Sequence, residues 1–379
     1  MSKKNNLLFL IILLIIGTLF CKSNINHSST FQTAKHDYLI TFANKEDIKK
    51  ISKKYNISII KEYTFFPIIL ASLTKEQVKY LQKEESIIGI EKDGSLGKSE
   101  ITKQSIQSSS SEIFRRLQIT NNIQSKYTGK GVKIAILDSG IDISHPDLSV
   151  KGGISFVGNP KDLSDSTGHG THVAGIISAK ANDIGITGVA PDAYIYAVKI
   201  LNNRDFGKNS ILLSAIDWCL KNKMDIIHMS ISSNKKSKAV EKALQEAYNK
   251  GALMIASAGN RGFYLKESIT YPGAYESVIA VGSLDNNNKR SIFSSVGKEL
   301  EIMAPGEKIY STEPNGYGYR DGTSMAAPYV TGIAALIMEK YPSLKNIEIR
   351  NRINESATKL GDPFLYGNGI INAKKALRE

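Results

Sequence analysis

Three residues of this chain could together open an amide bond: a carboxylate, an imidazole and a hydroxyl, each in a setting that would present it. Asp138 ends the apolar run 132–137, which reads as a buried parallel strand, so its carboxylate would stand at the carboxyl edge of a sheet, where ligands gather in open α/β folds. His169 lies between glycines in Gly168-His169-Gly170-Thr171-His172, which permits close backbone packing where a helix begins. Ser324 lies in Gly322-Thr323-Ser324-Met325-Ala326-Ala327-Pro328, a loop-to-helix start whose unpaired N–H groups and positive dipole end would cradle an oxyanion. In an acyl transfer Ser324 would attack the carbonyl and His169 would take and return the proton. Asp138 would hold the imidazole in the useful tautomer. Simpler uses exist for each motif. Gly-Thr-Ser is also an ordinary helix N-cap, and His169 with His172 could suggest a metal, although no Glu or Cys completes a zinc pattern such as His-Glu-x-x-His.

The stretches Leu137-Asp138-Ser139-Gly140-Ile141-Asp142, His169-Gly170-Thr171-His172-Val173-Ala174-Gly175 and Gly322 to Pro328 resemble the motifs of the subtilisin-like serine proteases, in register from about Gln107 to the C-terminus. The order Asp, His, Ser is that of the subtilisins themselves, which serve as the standard illustration of it. The resemblance implies a serine endopeptidase acting on peptides or proteins. It also implies that an asparagine after the strand-like run 252–256 donates to the oxyanion, which here is Asn260, with the Ser324 N–H as second donor. Asn beside Gly is also a common turn former.

These residues need a scaffold, and the chain has the material for one. It has 379 residues, 41% of them hydrophobic, enough for a large core and more than one domain. Runs at 193–200, 225–230, 253–257 and 277–283 read as strands, and 210–222 and 238–250 as helices. That alternation predicts an α/β, doubly wound, mostly parallel sheet across a catalytic domain at 112–379. Ahead of it, residues 35–98 read βαββαβ, a small α+β ferredoxin-like unit that resembles the inhibitory propeptide of this family, a prodomain acting as intramolecular inhibitor. A binding or accessory domain is the other reading. From Gly94 the composition turns linker-like, and residues 99–111 form the linker proper, five of the seven residues 105–111 being serine.

Residues 1–34 stand apart as a signal and tether segment. Lys3 and Lys4 precede an apolar run, 7–16, too short for a membrane span, so an export signal is expected, with the protein secreted or held at the cell envelope. Cys21 after that run would permit a lipid tether, against which Phe20 departs from the small residue that resembles the lipoprotein pattern. Cys219, in an apolar stretch, then has no intrachain partner and reads as a buried hydrophobe rather than a nucleophile. The net charge of +13 is spread among acidic residues with no aromatic-interleaved basic motif, which excludes a nucleic-acid reading in favour of attraction to anionic lipid or wall polymer.

Two further sets of residues follow from the resemblance. A calcium loop is implied at Asn182, with Asp147, the carbonyls of Lys180, Ile184 and Ile186, and Gln107; oxygen-only ligands on a flexible loop suit calcium. A plain surface turn is the alternative. Substrate would lie along Ser230, Ile231 and Ser232 on one side and Ser257, Ala258 and Gly259 on the other. The family often carries glycine where this chain has Ser232 and Ser233, and again at Thr270, which predicts a crowded, shallow first pocket. His228 stands where the family has asparagine and reads as a structural histidine. A catalytically silent peptide-binding member of the same fold is the competing function.

Overall fold

In a computed structural model of the chain, residues 34–98 and 110–379 are described. The signal and tether segment with Cys21, and nearly all of the linker including Gln107, lie outside the described residues.

The strand Lys133–Asp138 shows how the scaffold is made. Its side chains alternate between two cores: Ile134 and Ile136 face one and Ala135 and Leu137 the other. A strand buried on both faces carries no polar alternation, which is why the sequence there is a continuous apolar run. Its neighbours repeat the pattern, and together they form a seven-stranded sheet in the order Leu300–Pro305, Val278–Leu284, Leu253–Ser257, Ile226–Met229, Lys133–Asp138, Tyr194–Lys199, Val150–Ser155. Every pairing in it is parallel. The helices His169–Ser178 and Thr323–Lys340 cover one face, and Asn209–Lys221 and Lys238–Asn249 the other. This is the expected doubly wound fold, and the direction of winding reverses beside Lys133–Asp138, where such folds open their crevice.

Ahead of it, four antiparallel strands carry two helices, Lys45–Lys54 and Lys75–Leu81, in the expected βαββαβ order. Parity again decides the packing. From the first strand, His36–Phe42, the residues Tyr38, Ile40 and Phe42 point into this unit's own core, while Leu39 joins Tyr63, Phe66 and Ile68 against the helices Asn209–Lys221 and Lys238–Asn249. Tyr63 donates to the Ser210 carbonyl at 2.9 Å, and the Phe65 N–H to Asp217 at 2.9 Å.

Several elements depart from the sequence reading. Ser95–Lys98, expected to open the linker, is a strand. The helix Ser110–Arg116 begins two residues inside the segment read as linker. The strands Val150–Ser155 and Leu300–Pro305 and the hairpin Ile309–Glu313 with Gly316–Arg320 were not anticipated.

Candidate active site

Three adjacent central strands deliver the site at their carboxyl ends: Asp138 ends one, Ser230 follows the next, and Asn260 lies just past the third. Asp138 Oδ1 accepts from the Ser139 N–H at 2.7 Å and meets His169 Nδ1 at 2.7 Å. His169 opens its helix behind Gly168, whose φ of +76° favours glycine and whose Cβ would stand 2.2 Å from Glu313 Oε2. A Cβ on Gly170 would stand 2.1 Å from the Gly140 carbonyl and 3.1 Å from Asp138 Cβ. Both glycines therefore permit close packing where the helix begins, as the sequence suggested, Gly170 against the strand end that carries Asp138 and Gly168 against Glu313 and Arg320.

A second carboxylate organises this helix start, and the sequence reading missed it. Asp165, buried, accepts from the N–H groups of Thr167, Gly168 and Thr171 and from the hydroxyls of Ser139 and Thr171, the last at 2.7 Å. It neutralises the orphan donors and the dipole of the His169 helix. An Asp within the first turn's reach was the available signal.

Ser324 sits in the first turn of Thr323–Lys340 and is fully buried with the N-terminal region in place. Its Oγ donates to the Ser230 carbonyl at 3.2 Å. Asn260 is held by its oxygen, which accepts from Thr323 N–H at 3.0 Å and Thr323 Oγ1 at 2.9 Å. A backbone N–H can only donate, so that atom must be Oδ1 and the amide nitrogen must point the other way. Nδ2 is indeed buried with no hydrogen-bond partner among the described residues. It is a donor waiting for an acceptor.

The groove beside these residues contains peptide. Ser95–Lys98 runs antiparallel between Ile231–Ser232 and Phe206–Lys208, pairing Lys98 with Ile231, Gly97 with Ser232 and Leu96 with Gly207. This is β-augmentation of a sheet edge by an extended segment. Leu96 is buried in the same core as Ile231 and Leu212. On the facing wall, Ser257, Ala258 and Gly259 follow the strand Leu253–Ser257, and Thr270 donates from Oγ1 to the Ala258 carbonyl at 3.3 Å. Thr270 Oγ1 stands 2.5 Å from where a Cβ on Gly259 would be, so it fills the space above that glycine. Ser233 bridges to Tyr271 across the groove's floor.

The implied calcium residues lie apart from this groove. Asp147 is fully buried; Oδ2 accepts from Ile186 N–H at 3.2 Å and Tyr317 OH at 3.3 Å, and Oδ1 has no partner among the described residues. Asn182 Oδ1 accepts from Ile184 N–H at 3.3 Å, and the Lys180 ammonium donates to the Pro146 carbonyl at 2.7 Å. Cys219 is free and buried, and burial pushes its thiol up, away from reactivity.

Comparison with known proteins gives the family. The sequence profile of the Subtilase family matches residues 129–369. The chain is 41% identical over 344 residues to the thermostable alkaline protease of Halalkalibacterium halodurans, covering 90% of this chain and 92% of that one. It is 38% identical over 384 residues to subtilisin NAT of Bacillus subtilis subsp. natto, covering 99% of each, and 48% identical over 252 residues to subtilisin DY of Bacillus licheniformis, covering 66% of this chain and 92% of that one. The chain belongs to the subtilase family and is a serine endopeptidase of the subtilisin type.

Proposed function

We propose that the chain is the precursor of an exported subtilisin-like endopeptidase that frees itself from its own N-terminal domain, with Asp138, His169 and Ser324 as the catalytic triad. The observation that carries this reading is the strand Ser95–Lys98, laid in the groove that leads to Ser324. Ser324 Oγ attacks the substrate carbonyl carbon as His169 Nε2 takes its proton, and the imidazolium so formed donates from Nδ1 to Asp138 Oδ1. The oxyanion accepts from Asn260 Nδ2 and the Ser324 N–H. His169 then passes its proton to the leaving amine, the C–N bond breaks, and water hydrolyses the acyl-serine by the same route in reverse.

The register also supports a choice of bond. Ser232 faces Gly97 and Ile231 faces Lys98, so the described segment ends one residue short of the level of Ser230, the residue bonded to Ser324. Ser99 itself lies outside the described residues. We place the self-cleavage between Ser99 and Glu100; a serine there suits the shallow first pocket expected from Ser232 and Thr270. The residues 35–98 are then the inhibitory prodomain and 112–379 the enzyme.

Calcium fits the residues at Asp147. A buried carboxylate oxygen without a donor calls for a cation. Asp147, the Asn182 side chain and the carbonyls of Lys180, Ile184 and Ile186, with Gln107, would hold the ion, which would neutralise Asp147 and tie down the loop.

A fluorophosphonate reagent read by mass spectrometry tests the reading, since a nucleophilic Ser324 takes the adduct. A processed protein that takes none is the silent peptide-binding member instead. N-terminal sequencing of the processed chain should begin at Glu100, and Ser324→Ala should remain full length; processing of that variant without another protease would rule out self-cleavage.

A further inference from the structure

The helix that carries Ser324 in its first turn contains Pro328, four residues on from that serine. Proline has no N–H, so the Ser324 carbonyl loses the bond that a helix would give it. At a fully buried residue an unmet carbonyl is costly. Ser230 Oγ meets it, donating to the Ser324 carbonyl at 2.9 Å.

That bond uses the only proton Ser230 Oγ has, so its contact with His228 Nε2, 2.8 Å, runs from Nε2–H to Oγ. Nδ1 of the same ring is then an acceptor, and Thr331 Oγ1 donates to it at 2.8 Å. Thr331 stands two turns along the helix of Ser324. Strand parity puts His228 and Ser230 on the face that this helix covers, beside Ile226. The chain of bonds, Thr331 to His228 to Ser230 to the Ser324 carbonyl, has only one sense, and each member of it is buried.

We propose that His228 is a positioning residue of the protease: as a neutral Nε2–H imidazole it locks Ser230 in the rotamer that grips the Ser324 carbonyl, and so fixes the backbone from which the nucleophile projects. The inference rests on Ser324 being that nucleophile. Burial, with His169 as its titratable neighbour, holds His228 uncharged, which keeps Nδ1 free to accept.

The test uses the full-length chain and three variants, His228→Leu, His228→Gln and Ser230→Ala, processed by a trace of parent enzyme where needed. His228→Leu and Ser230→Ala should each lower kcat on the order of ten- to a hundredfold while leaving KM within about twofold, the pattern of a displaced nucleophile. The double variant should lose no more than either alone. His228→Gln, whose amide nitrogen reaches towards the place of Nε2–H, should recover most of the rate. The nitrogen NMR spectrum of the parent should show His228 as the Nε2–H tautomer throughout the working pH range. A folded His228→Leu with parental kcat overturns the proposal, and so does an Nδ1–H tautomer in the parent, which decides the matter even where His228→Leu does not fold. A parent that takes no fluorophosphonate defeats the reading of Ser324 instead, while a labelled parent with variants at the parental rate defeats only this one.

Discussion

The grip of the N-terminal domain on the protease should be set largely by two carboxylates at helix starts. Glu91 accepts from the Ser237 hydroxyl, from Lys238 N–H at 3.0 Å and from Ala239 N–H at 3.3 Å, at the head of Lys238–Asn249. Asp93 accepts from Ser210 N–H at 2.9 Å and Ser210 Oγ at 2.7 Å, at the head of Asn209–Lys221, with the Lys208 ammonium 3.8 Å away. Asp93 supplies the cap that Lys208 cannot, Glu91 adds to the cap that Ser237 already gives Val240 N–H, and each places negative charge at the positive end of a helix dipole. Such a contact contributes about 1 to 2 kcal/mol, so Glu91→Ala or Asp93→Ala should each weaken inhibition roughly 5- to 30-fold. The two helices have separate heads, so the effects should nearly add, giving about 3 kcal/mol and a loss on the order of a hundredfold in the double variant. The assay is the inhibition constant of a separately made segment 34–98 against processed enzyme, read at low and at high salt. Salt screens the charge, so parent and double variant should converge at high ionic strength. An inhibition constant within about twofold of the parent for the double variant would refute the reasoning, and would leave the grip to the apolar contact through Leu39 and Phe66, the bonds of Tyr63 and Phe65, and the pairing of Ser95–Lys98.

Asn260→Ala should lower kcat about a hundred- to a thousandfold with KM little changed; that range is the one known for the corresponding asparagine of a subtilisin, and an unchanged kcat removes Asn260 from the site. Chelation should lower the melting midpoint of the parent and added calcium restore it, and Asp147→Ala should abolish that response; equal midpoints with chelator and with calcium would exclude the ion. Ser232→Gly with Thr270→Gly should shift kcat/KM towards Phe and Tyr before the cut, since crowding of this kind costs about 1 to 3 kcal/mol; a parent that already prefers aromatic residues contradicts the shallow pocket. Burial holds the His228 imidazole at about 3, against 6.5 in an unfolded chain, so the unfolded state takes up a proton on acidification that the folded state refuses. Stability is therefore lost as pH falls below about 6.5, by about 1.4 kcal/mol per pH unit for this one group, and His228→Gln should show a slope shallower by one proton in denaturant titrations between about pH 6 and about pH 4.5. Identical slopes would mean that His228 is charged in the fold.

What the sequence made legible was whatever is local. Ile134 to Leu137 announce a strand buried on both faces, Asp138 marks its end, and the glycines about His169 mark a close approach. What it hid was set by distant partners. Ser95–Lys98 holds Ser, Gly and Lys, poor strand formers, and becomes a strand only because Phe206–Lys208 and Ile231–Ser232 offer edges on either side. Val150–Ser155 carries Gly152 and Gly153, which break any apolar run. A Cβ on Gly153 would stand 2.0 Å from the Ala197 carbonyl, a neighbour invisible from the local pattern. Asp165 was missed for a related reason: besides the nearby Thr167 and Gly168 its donors are Thr171, in the His169 helix, and Ser139, 26 residues away.

Direction of hydrogen bonding is the other thing that only the fold supplies, and it ties the site together. The Thr323 N–H can only donate, which turns Asn260 so that its nitrogen points the other way, as the oxyanion role proposed for it requires. Pro328 cannot donate, which leaves the Ser324 carbonyl for Ser230 and sets the sense of the bonds through His228 to Thr331. The two arrangements hold the backbone on either side of Ser324: one binds the N–H of the residue before it, the other its own carbonyl. Neither runs through Ser95–Lys98, whose pairing is with the outer residues Ile231 and Ser232 and with Phe206–Lys208. Departure of the N-terminal segment would therefore leave both sets of bonds, and with them the backbone on either side of Ser324, as they stand in the whole chain.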